Sequence, residues 1–320
     1  MSYQKIWQQN FKSVKKLLDF LQLPKSIYKN VLLDATFPLS LPIRLATKIK
    51  KKDIQDPILL QFLPLKKEIE KQKKSFSKNP LKENKFQKNR ILKKYEKRLL
   101  LLTCNTCCMN CRFCFRRNFF INSPINFNKE LLYIAKDTNI EEVILSGGDP
   151  LSLNNQQLKM LFSSLNKIDH LKRIRIHSRF FIGIPERLND ELLFIFASLK
   201  KQCYFVTHIN HFQELDDDII NVFKKLQAIK IPVLCQSVLL KDVNDDIQIL
   251  SRLYTALINN GIIPYYLHQL DKVFGASHFE TTKITGKNLI KSLLSLVPGY
   301  GVPRYVQEIP YKKSKTLITP

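Results

Sequence analysis

No stretch of the 320 residues approaches the roughly 18 consecutive apolar residues that span a bilayer, so a membrane protein is not expected. The opening residues, Met1-Ser2-Tyr3-Gln4-Lys5, carry no apolar core of a secretory signal, and a cytoplasmic location is the expectation. Glycine is scarce, at 8, and tryptophan occurs once. Acidic residues are also few, 27 against 52 Lys and Arg, for a formal charge of +25. Hydrophobic content is not low: 44%, with 10% aromatics, excludes a disordered chain. The length suits one large α/β domain or two ordinary ones.

A basic excess attracts polyanions without any sequence specificity. Residues 48–98 hold 18 Lys and Arg against 6 acids, nearly half of the surplus. That stretch, which includes Lys71-Gln72-Lys73-Lys74, has few interleaved aromatics and no stacking platform for bases. The chain is rich in Asn, Ile, Phe and Lys and poor in Gly, a pattern that drift toward AT-rich codons produces. Nucleic acid is therefore not the expected partner.

Before residue 98 the pattern is helical and irregular, with an amphipathic stretch at Lys15–Leu21 and punctuation at Pro38, Pro42, Pro57 and Pro64. After it a regular beat sets in. Apolar runs at Arg98–Thr103, Glu142–Ser146, Arg173–Ser178, Cys203–His208, Val233–Leu239 and Pro264–Leu270 start 44, 31, 30, 30 and 31 residues apart. Helical periods fill the gaps, as in Glu191–Phe196 and Ile219–Leu226. A strand plus a helix every thirty or so residues is the βα unit of a parallel sheet. Six units predict a partial (β/α)6 TIM-like barrel, with an open doubly wound sheet as the alternative. The predicted division is residues 1–97 as an N-terminal helical extension, 98–285 as the barrel and 286–320 as a C-terminal segment. In either architecture chemistry belongs at the C-terminal strand ends. There lie a cysteine cluster, Gly147-Gly148-Asp149, His177 and Arg179, His208, Gln236 and Asp271.

Five of the seven cysteines crowd into Cys104-Asn105-Thr106-Cys107-Cys108-Met109-Asn110-Cys111-Arg112-Phe113-Cys114. In a cytosolic chain this argues for metal rather than disulfides. The two C-x2-C pairs are separated too narrowly for a zinc ribbon, and thiolates on one short loop suit an iron–sulfur cluster. Zinc or a redox thiol cluster is the alternative. Cys107, Cys111 and Cys114 form C-x3-C-x2-C, whereas Cys108, Cys111 and Cys114 form C-x2-C-x2-C. Spacing alone leaves both sets open. Cys203 and Cys235 fall on predicted buried strands and read as core.

C-x3-C-x2-C after the first barrel strand, followed by Ser146-Gly147-Gly148-Asp149-Pro150, resembles the radical S-adenosylmethionine superfamily. The resemblance implies a 4Fe–4S cluster on Cys107, Cys111 and Cys114, with one iron open to S-adenosylmethionine. It places the methionine end of that cofactor against Ser146, Gly147, Gly148 and Asp149. A glycine pair lets backbone come close to a ligand, and a carboxylate can accept from its ammonium.

The chain further resembles the lysine 2,3-aminomutases, through Asp56-Pro57…Gln61…Pro64, Cys111-Arg112-Phe113-Cys114-Phe115-Arg116-Arg117, His208-Ile209-Asn210-His211, Gln236–Leu240 with Val243-Asn244-Asp245, and Asp271-Lys272-Val273-x-Gly275-Ala276-x-His278-Phe279. Within that family it is most similar to the short-tailed subgroup that makes (R)-β-lysine for elongation factor P. The resemblance implies an isomerase that moves the amino group of free L-lysine from carbon 2 to carbon 3, with pyridoxal 5′-phosphate as a further cofactor. An electron donor, a β-lysine ligase and a homo-oligomer are the implied associations. Another amino acid as substrate, or a radical RNA-modifying enzyme, is the alternative.

The tail Glu308-Ile309-Pro310-Tyr311-Lys312-Lys313-Ser314-Lys315-Thr316 resembles the family's pyridoxal segment, in which an acid precedes the Schiff-base lysine by seven positions. From residue type alone Lys312, Lys313 and Lys315 are equal candidates; the family spacing selects Lys315. By the same resemblance Arg116 takes the substrate carboxylate, Asp271 and Glu308 take its ε-ammonium, and His208 and Gln236 contact S-adenosylmethionine. Lys94, Arg98, Arg179 and Arg187 remain four candidates for the cofactor phosphate.

Overall fold

The computed structural model describes residues 1–70, 73–121 and 125–319; Lys71 and Gln72 of the basic stretch lie outside them. Ten strands form one sheet whose order follows the sequence: β1 (Gln87–Lys88), β2 (Ile91–Leu92), β3 (Arg98–Cys104), β4 (Glu142–Gly147), β5 (Arg173–His177), β6 (Gln202–His208), β7 (Val233–Leu239), β8 (Ile263–Gln269), β9 (Arg304–Gln307) and β10 (Thr316–Leu317). Neighbours from β3 to β9 are parallel; the joins at β1–β2, β2–β3 and β9–β10 are antiparallel. A doubly wound sheet must reverse its strand order at a switch point. None occurs here, so the open-sheet alternative is discarded and the sheet curls as a partial barrel. The six expected strands are present, and β9 adds a seventh parallel strand. With only Arg-Tyr-Val-Gln in it, β9 is too short for its alternation to stand out. Through β9 and β10, residues 286–320 pack on the same sheet as the barrel strands.

Twelve α-helices accompany the strands among the described residues. Five lie in the N-terminal segment: α1 (Tyr3–Gln8), α2 (Val14–Phe20), α3 (Ile43–Lys48), α4 (Pro57–Phe62) and α5 (Lys67–Glu70). The rest are α6 (Asn128–Lys136), α7 (Asn155–Asn166), α8 (Phe180–Gly183), α9 (Asp190–Ala197), α10 (Asp217–Ala228), α11 (Ile247–Asn259) and α12 (Lys283–Leu296).

Short polar residues start these helices for a local reason. Asn154, Asn189, Asp216, Asp246 and Thr282 each accept from a first-turn N–H that has no partner within the helix. At α7, Gln157 returns the bond to Asn154 and completes a capping box. Each helix then buries one stripe, such as Leu158, Leu161, Phe162 and Leu165 of α7 or Leu250, Leu253, Tyr254 and Leu257 of α11. Each such side chain contributes roughly 1.5–3 kcal/mol of transfer free energy.

One apolar cluster runs from Tyr3 through the barrel to Ile318, so both ends of the chain share the central core. Trp7 and Tyr3 meet Phe180 edge-on, with centroids 5.4 and 6.1 Å away. Arg44 ties α3 to the barrel exterior through Glu186, Asp216 and Asp218. No helix among the described residues is long and apolar enough to cross a membrane.

Candidate active site

Alternation along the strands decides what faces the barrel interior. Leu100 of β3, Ile144 and Ser146 of β4, Arg175 and His177 of β5, His208 of β6, Gln236 and Val238 of β7, and Tyr266 and His268 of β8 line one cavity of about 380 Å3. Loops beyond the strand ends add Cys107, Cys111, Cys114, Arg116, Gly148, Asp149, Asp271, Glu308 and Lys315. Of the cluster, S-adenosylmethionine, substrate and Schiff-base residues expected from the sequence, all but Gly147 reach this wall.

The cysteine loop follows β3. Cys104 is turned away, its thiol donating toward the Thr106 and Asp149 carbonyls at 3.3 and 3.2 Å. Cys108 is 1% exposed, and its thiol points at the Phe180 carbonyl. Cys107, Cys111 and Cys114 are more open than these two. That difference favours C-x3-C-x2-C over C-x2-C-x2-C. Burial pushes the Cys114 thiol up to about 11 and raises Cys107 well above its usual range. At Cys111 burial also raises the thiol, opposed by Arg179, whose Nη1 donates to Sγ at 2.8 Å. Among the described residues no three His, Cys, Asp or Glu groups converge at metal-ligand geometry. The donor set nonetheless suits an iron–sulfur cluster: three thiols on one loop, without a fourth cysteine in the cavity that is free of a backbone acceptor.

Within the protein, the glycine pair packs against the cysteine loop. Gly147 has φ +113°, and a Cβ there would lie 2.9 Å from the Cys104 carbonyl oxygen. At Gly148 a Cβ would lie 2.4 Å from the Thr106 oxygen. These glycines let β4 close on the cysteine loop, which the Gly148 and Asp149 N–H groups bind at 2.6 and 2.8 Å. Asp149 is similarly engaged: it accepts from Ser178 Oγ at 2.8 Å, Arg179 N at 2.9 Å and Leu151 N at 3.0 Å. Burial raises its carboxyl to about 6 despite those donors.

In the same cavity Lys315 Nζ lies 2.8 Å from Glu308 Oε2, and Lys94 binds the other Glu308 oxygen. Burial raises the Glu308 carboxyl, but Lys315 and Lys94 outweigh it and hold the group below its ordinary range. Asp271 follows β8 and faces the same space, where burial pushes it up to about 7 against the pull of Lys315. Lys312 and Lys313 are exposed and do not line the cavity, so the structure separates Lys315 from its two neighbours.

Arg116 donates to Glu83 through Nε and Nη2 and to Ser146 Oγ through Nη1. Of the four phosphate candidates, Lys94 and Arg98 line the cavity beside Tyr95. Arg187 does not: it is fully buried and bound to the Leu151 and Leu153 carbonyls and Asn155. Arg179 lines the cavity, but its terminal nitrogens serve Cys111, Gln61 and Glu214. Arg175 of β5 reaches the cavity as well and was not anticipated.

His208 stacks on Phe113, with centroids 5.5 Å apart, and Nε2 lies 3.1 Å from Asn210 Oδ1. Burial drops it to about 3, and it lowers His177 and His268 well below their usual range, so all three are neutral. Among the described residues, His177 Nε2 is buried without a hydrogen-bond partner. An orphaned nitrogen, a lysine and two cations facing one space fit a phosphorylated heteroaromatic cofactor.

Glu83, Glu214 and Gln61 were missed as site residues, and Arg179 was expected at the site but with a phosphate rather than with Cys111, Gln61 and Glu214. Gln61 carried the one available signal, since it stands in the Asp56–Pro64 segment, and it bonds Arg179, Asn210 and Glu214 at 2.8, 2.9 and 3.2 Å.

Residues 97–182 match the family model of a 4Fe-4S single cluster domain. The chain is 43% identical over 309 residues to the L-lysine 2,3-aminomutase of Haemophilus influenzae, covering 95% of this chain and 91% of that protein. The L-lysine 2,3-aminomutase of Escherichia coli is 40% identical, with 88% of this chain and 83% of that one covered. Streptococcus suis SuiB has a similar fold, with TM-scores of 0.50 when bound to S-adenosylmethionine and 0.52 in a second crystal structure, at 16% and 17% identity. Each covers 67% of this chain, which in turn spans about half of SuiB. Relatives this similar over nearly their whole length place the chain in the lysine 2,3-aminomutase family.

Proposed function

We propose that this chain converts free L-lysine to (R)-β-lysine by moving the amino group from carbon 2 to carbon 3, and that the product is ligated to elongation factor P. The observation that carries the reading is one cavity lined by three open cysteines, a lysine paired with an acid, a second acid and an arginine fork. The L-lysine 2,3-aminomutases of Haemophilus influenzae and Escherichia coli support it.

Its cofactors are a 4Fe–4S cluster, S-adenosylmethionine and pyridoxal 5′-phosphate. When bound, they supply an electron, a 5′-deoxyadenosyl radical and a carrier for the migrating nitrogen. Cys107, Cys111 and Cys114 would hold the cluster, and Ser146, Gly147, Gly148, Asp149, His208 and Gln236 form the proposed S-adenosylmethionine side. For Gly147 and Asp149 the contribution is shape, through the closure of β4 on the cysteine loop.

Lys315 is the proposed Schiff-base lysine. Its amine must lose a proton to react, and the neighbouring Glu308 carboxylate favours the protonated form, as the raised Lys315 shows once burial is offset. The ε-ammonium of an incoming lysine can take over Glu308 and Asp271, loosening that hold on Lys315. Arg116 takes the substrate carboxylate, so the two ends of the substrate are read by opposite charges. Lys94 and Arg98 serve the cofactor phosphate.

The test is anaerobic reconstitution with L-lysine, S-adenosylmethionine and a reductant, followed by chiral product analysis. Borohydride reduction and peptide mapping should then find a pyridoxyl adduct on Lys315. No adduct there, or no β-lysine, would sink the assignment.

A further inference from the structure

A guanidinium has five N–H donors, and the structure shows where part of the Arg116 set goes. Glu83 holds one side of the group: Nε lies 3.3 Å from Oε2, and Nη2 lies 3.0 and 3.2 Å from Oε1 and Oε2. Nη1 donates to Ser146 Oγ at 3.3 Å. Both charged side chains are deep in the protein, at 8% and 15% exposure. With Nη2 serving both Glu83 oxygens through one N–H, one N–H on Nη1 and one on Nη2 remain among the described residues. Together they form the end of the fork, a pair of parallel donors that matches a carboxylate.

The element that delivers Glu83 is fixed at a second point. Glu83 opens a short 3-10 turn, Glu83–Phe86, after Lys82 takes a left-handed backbone with φ +50°. Lys82 and Lys85 place Nζ 5.4 and 4.7 Å from the ring centroid of Tyr311. Tyr311 lies in the tail four residues before Lys315. The turn that grips Arg116 is therefore fastened to the segment that carries the cavity lysine.

We propose that Glu83 is a positioning residue for the substrate carboxylate. It holds Arg116 by the side of the guanidinium, so that the free end of the fork receives the carboxylate of the amino acid. Glu83 does not itself touch the substrate; the guanidinium lies between the two carboxylates and screens one from the other. The role rests on the reading of Arg116 as the carboxylate-binding group for lysine.

The test is a titration of reconstituted holoenzyme with L-lysine and with 1,5-diaminopentane, followed by the visible absorbance of the bound pyridoxal group. Glu83→Gln should bind L-lysine about tenfold more weakly than the unaltered protein, with Glu83→Asp recovering part of the loss. The diamine has no carboxylate and should bind the unaltered and Gln proteins alike. Unchanged L-lysine affinity in the variant would overturn the role. Tighter L-lysine binding would also overturn it, since Glu83 would then be a competitor for Arg116. Equal weakening of both ligands would show general damage and overturn it too. An unaltered holoenzyme with no response to L-lysine would overturn the substrate reading and this role with it.

Discussion

Asp271 and Glu308 face the same cavity with opposite protonation behaviour. Lys315 and Lys94 keep Glu308 ionised against its burial. Asp271 has no such contact: burial raises it to about 7, Glu308 and Glu83 add to the rise, and Lys315 and Arg116 only partly oppose it. An unfolded aspartate releases its proton near pH 4. Between about 4 and 7 the native state therefore binds more protons than the unfolded chain, and unfolding free energy falls as pH rises. Stability that this carboxyl carries at low pH is lost by the time it ionises in the folded protein. Asp271→Asn removes that loss, so the ligand-free variant should melt above the unaltered protein at pH 8, with the gap closing toward pH 4. Thermal melts at the two ends of that range check this. A gap independent of pH would mean that Asp271 does not titrate as its surroundings require. The same variant should bind L-lysine less tightly, because an amide cannot supply the second negative charge to an ammonium.

The N-terminal helices find their purpose in the cysteine loop. Arg112, between two of the proposed cluster ligands, is fully buried, and its guanidinium donates to Glu68 of α5 at 2.8 and 2.6 Å. Arg117 adds a third bond to the same carboxylate at 2.9 Å. The loop backbone is held too, with Arg112 N on the Gln61 carbonyl at 2.9 Å and Asn10 Nδ2 on the Cys108 carbonyl at 2.6 Å. Glu68→Gln leaves two buried guanidinium groups without their counter-charge, a loss of about 3 kcal/mol or more. Urea unfolding should show that loss, and iron per chain after reconstitution should fall with it. Full iron retention in the folded variant would mean that the loop keeps its shape without Glu68. The six expected strands were legible in the sequence because their spacing is regular. The choice of three cysteines and of Lys315 came instead from the family resemblance, since spacing and residue type left alternatives for both. Glu68, Glu83 and Glu214 were not legible. Each gains meaning only from a partner 44, 33 or 35 residues distant along the chain, at Arg112, Arg116 and Arg179. No local period reports such pairs, and an acid in a basic stretch looks like solvated charge until the fold brings its partner to it. Strand β9 escaped for a related reason: four residues become a strand only beside β8.

At the scale of the whole molecule, most of the surplus behind the formal charge of +25 is left to the exterior, because the buried acids are matched by buried cations. Several of the scarce acids are spent inside, with Glu68, Glu83, Glu214 and Glu308 all paired to buried or half-buried cations. Outside the cavity, Lys93, Lys97 and Lys313 join Lys94 and Arg98 around a depression whose one acid among the described residues is Glu96. Lys94, Tyr95 and Arg98 belong to both spaces, so this basic ground runs continuously into the cavity. Such a field draws small anions inward and attracts longer polyanions without reading their bases. Attraction of that kind is counterion release, and for single strands it weakens steeply with salt. An RNA oligonucleotide should therefore lose about tenfold or more of its affinity between 50 and 200 mM salt, if it neutralises a few phosphates on this surface. L-Lysine in the proposed site would meet buried charges that mobile ions screen poorly, so its binding should change far less over the same range. Parallel titrations of the two ligands make the comparison. RNA affinity that survives the added salt would require contacts to bases or sugars, and would favour a nucleic-acid substrate over composition drift as the source of the charge.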